Sequence, residues 1–212
     1  MILFVGDGMG IATVTAARIR AGQLRGQSGE ESSLSFESFP HVALSKTYTV
    51  DHQVGESAGT MTAMMTGVKT KSGSLSIDPK GQQLTTLLEI AEGRGLSTGV
   101  VTTTRITHAT PAACYGHAVR RDAELDLARQ LVEFSAGDGL EVALGGGRSQ
   151  FLSTDAADLE EPGAKGARSD GRDLTREQQP RGQGEVRDPR GRRNLAAAPG
   201  AGPVPPRGDH GR

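Results

Sequence analysis

Apolar residues along the first 150 positions of the chain follow two different spacings. Short apolar runs are typical of buried strands, and apolar residues three or four positions apart are typical of helices. The runs predict strands at residues 2–5, 41–50, 96–104 and 140–144. The helical spacing predicts helices at residues 10–24, 82–92 and 122–134, and a small, Met-rich composition predicts a buried helix at 57–65. This alternation predicts an α/β fold with a mostly parallel central sheet flanked by helices.

The composition changes near residue 162. From Pro162 onward Arg, Gly, Pro and Ala dominate, and all seven aromatic residues lie at or before Phe151. A segment so poor in large apolar residues is typical of disorder, because it cannot bury enough surface to form a core. We therefore predict part of an α/β domain over residues 1–161 and a disordered tail over residues 162–212.

Simple counts argue against several classes of protein. The net charge of −1 gives no electrostatic case for binding nucleic acid. The chain has no run of 18 apolar residues, so we expect no membrane-spanning segment. The first residues lack the basic region of a signal peptide. Cys114 is the single cysteine, which excludes an internal disulfide.

Asp7 follows the first predicted strand, inside the turn Gly6-Asp7-Gly8-Met9-Gly10. The carboxyl ends of strands are where α/β sheets place their chemistry. A carboxylate in a glycine-rich turn can approach a divalent cation closely, and it can equally cap the following helix. The spacing alone favours neither a metal ligand nor a cap.

Ser57 lies in Gly55-Glu56-Ser57-Ala58-Gly59, at the start of a predicted helix of small residues. The G-x-S-x-G pattern is that of the nucleophile elbow of serine esterases, which needs an acid and then a histidine further along the chain. A helix N-terminus also favours an anion, such as an alkoxide or a phosphate. A serine that merely caps the helix is the ordinary alternative.

A third segment, residues 107–121, carries further polar candidates. Thr110 offers a hydroxyl to a hard cation, and His108 lies close to it in sequence. Arg121 could hold two phosphate oxygens with its planar fork. Each has an ordinary alternative: a turn threonine before proline, a structural histidine, and a surface arginine beside Asp122.

Together the three segments resemble the alkaline phosphatases. The resemblance rests on residues 5–10, 55–70 and 107–121, and on their order and spacing. The run Gly145-Gly146-Gly147 and residues 170–174 are similar to later parts of the family, so the resemblance covers about residues 1–178. It implies an enzyme that hydrolyses phosphate monoesters through a phosphoserine, with two zinc ions and one magnesium ion.

The resemblance also implies roles for individual residues. By position, Ser57 would be the nucleophile and a zinc ligand, and Asp7 would bridge that zinc and the magnesium. Thr110 would be a magnesium ligand, with His108 beside it among the metal-site residues. Arg121 would hold the phosphate oxygens. The family is usually homodimeric and periplasmic or extracellular, so the resemblance implies both properties here.

The sequence departs from the family in two respects. Glu56, which would bind substrate by orienting Arg121, stands where the family commonly has aspartate. The remaining magnesium and zinc ligands of the family come from downstream sequence that this chain does not contain, so we expect impaired turnover. The alternatives are a non-catalytic fragment with partial metal or phosphate binding and, in another class, a serine esterase.

The composition of the tail suggests a separate hypothesis about its origin. Arg, Gly, Pro and Ala all have GC-rich codons, so a GC-rich gene translated in a shifted frame would encode such a segment. We hypothesise that the reading frame changes near Gln179.

Overall fold

The structure, a computed structural model, describes residues 1–156 and 163–176 and the backbone of residues 185–187. It divides into two compact units, Met1–Thr47 and Tyr48–Arg212. Among the described residues, no helix combines the length and the apolar character that crossing a membrane requires.

The first unit is built around one helix, α1 (Ile11–Gln23). A 3₁₀ turn at Ser35–Ser38 follows it in sequence, and Arg18 Nη1 on α1 donates to Glu37 Oε1 in that turn at 3.0 Å. Gly22 is required where the chain folds back, because a Cβ there would lie 2.2 Å from Ser32 Oγ. The helix predicted at residues 10–24 is confirmed.

The strands predicted at residues 2–5 and 41–50 are wrong. Neither segment has regular secondary structure, and the side chains of Ile2 and Phe4 are 82% and 91% exposed. A strand exists only through backbone hydrogen bonds to a neighbouring strand. The apolar pattern of a short run carries no information about whether such a neighbour is available.

The second unit contains a three-stranded parallel sheet. Its strands are β1 (Gly99–Arg105), β2 (Val142–Gly146) and β3 (Glu185–Arg187), in the spatial order β1-β2-β3. Val100 pairs with Ala143, which in turn pairs with residue 186. The predicted strands at 96–104 and 140–144 are confirmed, and parallel pairing with helices between the strands is the predicted α/β arrangement.

In the described part of this unit, four helices accompany the sheet: α2 (Ser57–Thr66), α3 (Leu87–Glu92), α4 (Ala109–Ala112) and α5 (Glu124–Val132). Helix α3 is shorter than the predicted helix at 82–92. Thr86 caps it, since its hydroxyl accepts from Glu89 N at 3.1 Å while the Glu89 carboxylate accepts from Thr86 N at 2.7 Å. Upstream, Gln83 forms an antiparallel bridge with Ile77, so the backbone there is extended.

The core of this unit lies between the sheet and α2, α4 and α5. Its members are apolar and nearly free of solvent; they include Leu75, Ile106, Leu127, Leu131, Leu140 and Phe151. Leu174 is also fully buried in this core, and its backbone N donates to Phe151 O at 2.8 Å. Residues 163–176 therefore contribute to packing, although their composition placed them in the tail. The boundary between residues 161 and 162 stays a prediction, and most of the remaining tail lies outside the described residues.

Candidate active site

The carboxyl end of β1 leads into a cluster of polar side chains. The strand ends at Arg105, and His108 is the N-cap residue of the short helix α4. Thr110 lies in the first turn of α4 and is half-buried. The structure thus places His108 and Thr110 at the edge of the sheet where α/β proteins bind ligands.

Helix α2 begins at Ser57, but the cap is Glu56. The Glu56 carboxylate accepts from the backbone N–H groups of Ala58 at 2.8 Å and Gly59 at 2.7 Å. It also accepts from Gly73 N at 2.9 Å. Ser57 is therefore not a capping serine. The Glu56 carboxylate occupies two of the N–H groups at this helix terminus, and the expectation that the terminus favours an anion stays a prediction.

Arg121 connects three of the predicted site residues. Its Nη1 donates to Glu56 Oε2 at 2.8 Å and to Ser57 Oγ at 3.3 Å. Its Nη2 lies 2.9 Å from His108 Nε2. A guanidinium group can only donate, so His108 Nε2 accepts, and a neutral His108 carries its ring proton on Nδ1. The structure brings Glu56, Ser57, His108 and Arg121 together.

The exposed arginine that pairs with Asp122 is Arg120, the residue before Arg121. Arg120 Nε donates to Asp122 Oδ1 at 3.0 Å, and both side chains are largely exposed. The Arg121 side chain is 34% exposed and pairs with Glu56 instead. Arg121 is thus half-buried and held by Glu56, which argues against the alternative of an ordinary surface arginine beside Asp122.

The Glu56 carboxylate is held in its charged form. Burial raises its pKa, but hydrogen bonds from Gly73, Gly59, Ala58 and Arg121 together have the larger effect and lower it below the ordinary value. A carboxylate that accepts several hydrogen bonds is favoured as the anion. Glu56 therefore presents a fixed negative charge to the Arg121 guanidinium.

Asp7 lies in the first unit, in the glycine-rich turn that precedes α1 and is exposed there. Gly8 has φ +65°, a left-handed conformation that favours glycine. Gly10 is the N-cap residue of α1, and no side chain caps that helix. Asp7 is thus not the cap of α1, and its role as a metal ligand stays a prediction.

Glu124, at the start of α5, is a polar partner that the sequence did not reveal. Its carboxylate accepts from Arg105 Nε at 2.8 Å, Arg105 Nη2 at 2.7 Å and Thr107 Oγ1 at 2.6 Å. Burial raises the pKa of Glu124, but the bonds from Arg105 and Thr107 lower it more. This carboxylate fixes the backbone between β1 and His108. No motif marks it, and an acidic residue in the first turn of a helix is common for electrostatic reasons alone.

The glycine run Gly145-Gly146-Gly147, at the end of β2, permits a close approach between this strand and the end of β1. A Cβ on Gly145 would lie 2.8 Å from Thr102 Cγ2, and one on Gly147 would lie 2.8 Å from Arg105 Cβ. Side chains at either position would push β2 away from the end of β1. The run therefore helps to shape the edge of the sheet that carries His108.

A sequence model of the family described as Alkaline phosphatase matches residues 1–199. The chain belongs to the alkaline phosphatase family. It is 45% identical over 204 residues to an alkaline phosphatase of Gadus morhua, covering 84% of this chain and 42% of that protein. It is 44% identical over 201 residues to the tissue-nonspecific isozyme of Gallus gallus, covering 82% and 38%. The chain thus spans about two fifths of the length of these relatives.

Solved alkaline phosphatases have the same fold. The enzyme from the Antarctic bacterium TAB5 superimposes with a TM-score of 0.60 at 29% identity, covering 79% of this chain and 41% of that one. The Thermus thermophilus enzyme gives a TM-score of 0.63 at 32% identity, covering 80% and 32%. The α/β fold class and the family are therefore established. With the family known, the esterase alternative for the Ser57 segment is no longer needed.

Proposed function

We propose that this chain carries the nucleophile and the phosphate-binding side chains of a phosphate monoester hydrolase. The family supports phosphomonoester hydrolysis as the reaction. The observation that carries the proposal is the contact of Arg121 Nη1 with Ser57 Oγ at 3.3 Å. This contact places the Arg121 guanidinium beside the Ser57 hydroxyl oxygen, which we propose as the nucleophile.

The chemistry proceeds in two displacements at phosphorus. In the first, a bond forms between Ser57 Oγ and phosphorus while the ester P–O bond breaks, and the departing alcohol oxygen takes up a proton. In the second, water attacks the phosphoserine, which releases inorganic phosphate and restores the serine. Arg121 would hold two non-bridging oxygens throughout, since its planar fork matches their spacing. Glu56 and His108 act as positioning residues for that fork.

The donor atoms of the site fit one of the family's metals better than the other. Thr110 and Asp7 supply hydroxyl and carboxylate oxygens, which suit magnesium. Zinc usually takes three or four protein ligands, with imidazole and thiolate prominent among them. In the described part of the site the one imidazole is that of His108, and its Nε2 accepts from Arg121. We therefore propose Thr110 as a magnesium ligand and, from the resemblance alone, Asp7 as a metal ligand, and the described residues do not by themselves make two zinc sites.

Solved relatives support the magnesium part of this proposal. Two variants of the TAB5 alkaline phosphatase were determined with Mg bound in the M3 site. When bound, divalent cations in such a site supply positive charge that stabilises the attacking and leaving oxygens. We propose that turnover by this chain is slow or absent, because the described residues do not by themselves complete the two zinc sites. A homodimer and a location outside the cytoplasm are further proposals, taken from the family alone.

The proposed reaction can be tested with two chromogenic esters. The full chain is assayed with p-nitrophenyl phosphate and p-nitrophenyl acetate, each with and without added Zn²⁺ and Mg²⁺. Ser57→Ala removes the nucleophile, and Ser35→Ala serves as a matched serine control in the first unit. Acid-quenched samples are analysed by mass spectrometry for a phosphorylated peptide that contains Ser57.

The expected result is slow, metal-dependent phosphate release and a phosphorylated Ser57, both absent from Ser57→Ala and retained by Ser35→Ala. Absence of both phosphate release and phosphoserine would overturn the catalytic proposal and support a fragment that only binds metal or phosphate. Acetate cleavage that resists a chelator would support an esterase instead. Turnover comparable to a complete alkaline phosphatase would overturn the proposal that the metal set limits this chain.

A further inference from the structure

A group of acidic side chains lies at the amino ends of β1 and β2, at the opposite end of β1 from the residues that lead to His108. Glu92 is the last residue of α3, and Asp138 and Glu141 lie in the turn that leads into β2. One ligand oxygen from each of the three carboxylates lies within 4.8 Å of the other two. These residues form the three-carboxylate cluster, near the amino ends of β1 and β2. The seven-residue strand β1 separates it from His108 by about 20 Å.

Glu92 is the unusual member of the cluster. The residue is only 1% exposed, and its Oε2 has no hydrogen-bond donor in the structure. Its Oε1 accepts from Thr98 Oγ1, so the carboxylate is held at one oxygen, and one of its two oxygens lies within 4.8 Å of oxygens of Asp138 and Glu141. A buried carboxylate oxygen without a donor is costly unless a positive charge or a proton compensates it.

The described residues show no ion pair that would supply such a charge. None of the ion pairs among the described residues includes a member of the three-carboxylate cluster. Burial raises the pKa of Glu92, and the negative charges of Glu141 and Asp138 raise it further. The three carboxylates therefore repel one another, and the buried Glu92 is the one whose negative charge is least favourable.

Gly137 packs closely against Glu92. A Cβ on Gly137 would lie 2.7 Å from both Glu92 Oε2 and Glu92 O, so this position requires glycine, and its φ of +58° suits glycine as well. Thr98 N fixes Glu141 by donating to its Oε2 at 2.6 Å. Asp138 is exposed, which gives the cluster an opening to solvent.

We propose that the three-carboxylate cluster binds a hard divalent cation, with Ca²⁺ the best match. Oxygen ligands surround Ca²⁺ at about 2.4 Å, so two of them on one ion are at most about 5 Å apart, as in the cluster. Ca²⁺ accepts six to eight ligands in flexible geometry, and water entering beside Asp138 would complete the shell. The bound ion would hold the turn before β2 against the end of α3 and so stabilise the fold.

Calcium titration of the full chain tests the proposal. Isothermal titration calorimetry with CaCl₂ gives the number of sites and Kd, and thermal denaturation with and without CaCl₂ gives the change in Tm. Asp138→Asn removes one charge from an exposed side chain, so it leaves the packed core intact. Glu92→Gln keeps the shape and the bond from Thr98, and Asp122→Asn is the matched control at an exposed acidic residue outside the cluster.

We expect one Ca²⁺ site with Kd on the order of 10⁻⁴ to 10⁻³ M and a higher Tm with calcium. Asp138→Asn should raise Kd at least tenfold and remove the change in Tm, while Asp122→Asn should behave as the unchanged chain. No calcium binding at about 10 mM CaCl₂ would overturn the proposal, and so would calcium binding that survives in both Asp138→Asn and Glu92→Gln. Neither variant alters Ser57 or Arg121, so phosphatase activity is measured independently.

Discussion

Arg121 donates to the same carboxylate that caps helix α2: its Nη1 lies 2.8 Å from Glu56 Oε2. That carboxylate also accepts from three backbone N–H groups, on Ala58, Gly59 and Gly73. One side chain therefore fixes both the start of the helix that carries Ser57 and the arginine beside it. A change at this residue should affect folding and phosphate binding together.

Glu56→Ala should lower the free energy of unfolding by about 1–2 kcal/mol, the usual cost of losing an N-cap. The reason is that the N–H groups of Ala58, Gly59 and Gly73 lose their shared acceptor. Glu56→Gln, which keeps one acceptor oxygen, should lose less. Urea denaturation followed by circular dichroism measures both, and equal stability of Glu56→Ala and the unchanged chain would contradict the capping role.

Gly59→Ala should destabilise the protein by about 1–3 kcal/mol, although alanine is the better helix former. An added Cβ would lie 2.6 Å from Thr49 Cγ2, and Thr49 is only 4% exposed. Thr49→Ser removes that methyl group and keeps the hydroxyl that donates to Asp51. The double variant should therefore recover most of the lost stability; strictly additive effects in the double-mutant cycle would count against the predicted clash.

His117 should make stability depend on pH. Burial lowers its pKa, but bonding to Glu89 at 3.1 Å and to Ser76 O at 2.8 Å has the larger effect, so the pKa lies above the ordinary 6.5. The pKa of Glu89 is lowered: burial raises it, and the bonds from His117 and Thr86 outweigh that effect. The stability from His117 is fully present below pH 6.5 and is lost as pH rises through its folded-state pKa. The stability that Glu89 contributes is fully present above pH 4.5, its ordinary pKa, and is lost as pH falls through its lowered pKa in the folded protein.

His117→Gln offers a donor that does not titrate, so its comparison with the unchanged chain isolates this effect. The difference in free energy of unfolding should be about 1 kcal/mol near pH 6 and should shrink toward pH 9. Denaturant titrations at a series of pH values measure it. A difference that stays constant over that range would show that the charged pair does not stabilise the fold.

Leu174→Ala should destabilise the second unit by about 2–5 kcal/mol, because it opens a cavity at a fully buried position. Val119→Ala is the matched control, since that side chain is 69% exposed and should change stability little. Thermal denaturation compares the two. Equal Tm values would mean that residues 163–176 are not packed on the core in solution.

The Cys114 thiol should be unreactive in the folded protein. Burial raises its pKa to about 12, and only the thiolate is nucleophilic. Iodoacetamide at neutral pH should therefore label Cys114 slowly in buffer and rapidly in urea, as measured by mass spectrometry. Fast labelling of the native chain would place the thiol near solvent.

The local pattern of the sequence was sufficient for several elements. The local pattern predicted α1, α2, α5, β1 and β2 within a few residues, and the periodic burial is clearest in α5, where Leu127, Ala128, Leu131 and Val132 are buried. The motifs around Ser57, His108 and Arg121 identified the family without any coordinates. The residues of those motifs are close in sequence to strand ends and helix starts, which is where the fold places them.

Tertiary structure decided the rest. The runs at 2–5 and 41–50 look like strands in composition, but strands need partners that a one-dimensional pattern does not specify. The same is true of polar residues: the chain alone could not show that Glu56 caps α2 or that Arg121 turns to it instead of to Asp122. Nor could the sequence show that Glu92 lies near Asp138 and Glu141, because Glu92 precedes both of them by more than forty positions. The three residues meet only because the end of α3 packs against the turn before β2. The sequence thus determined the family and its candidate chemistry, and only the packing decided which charges face each other.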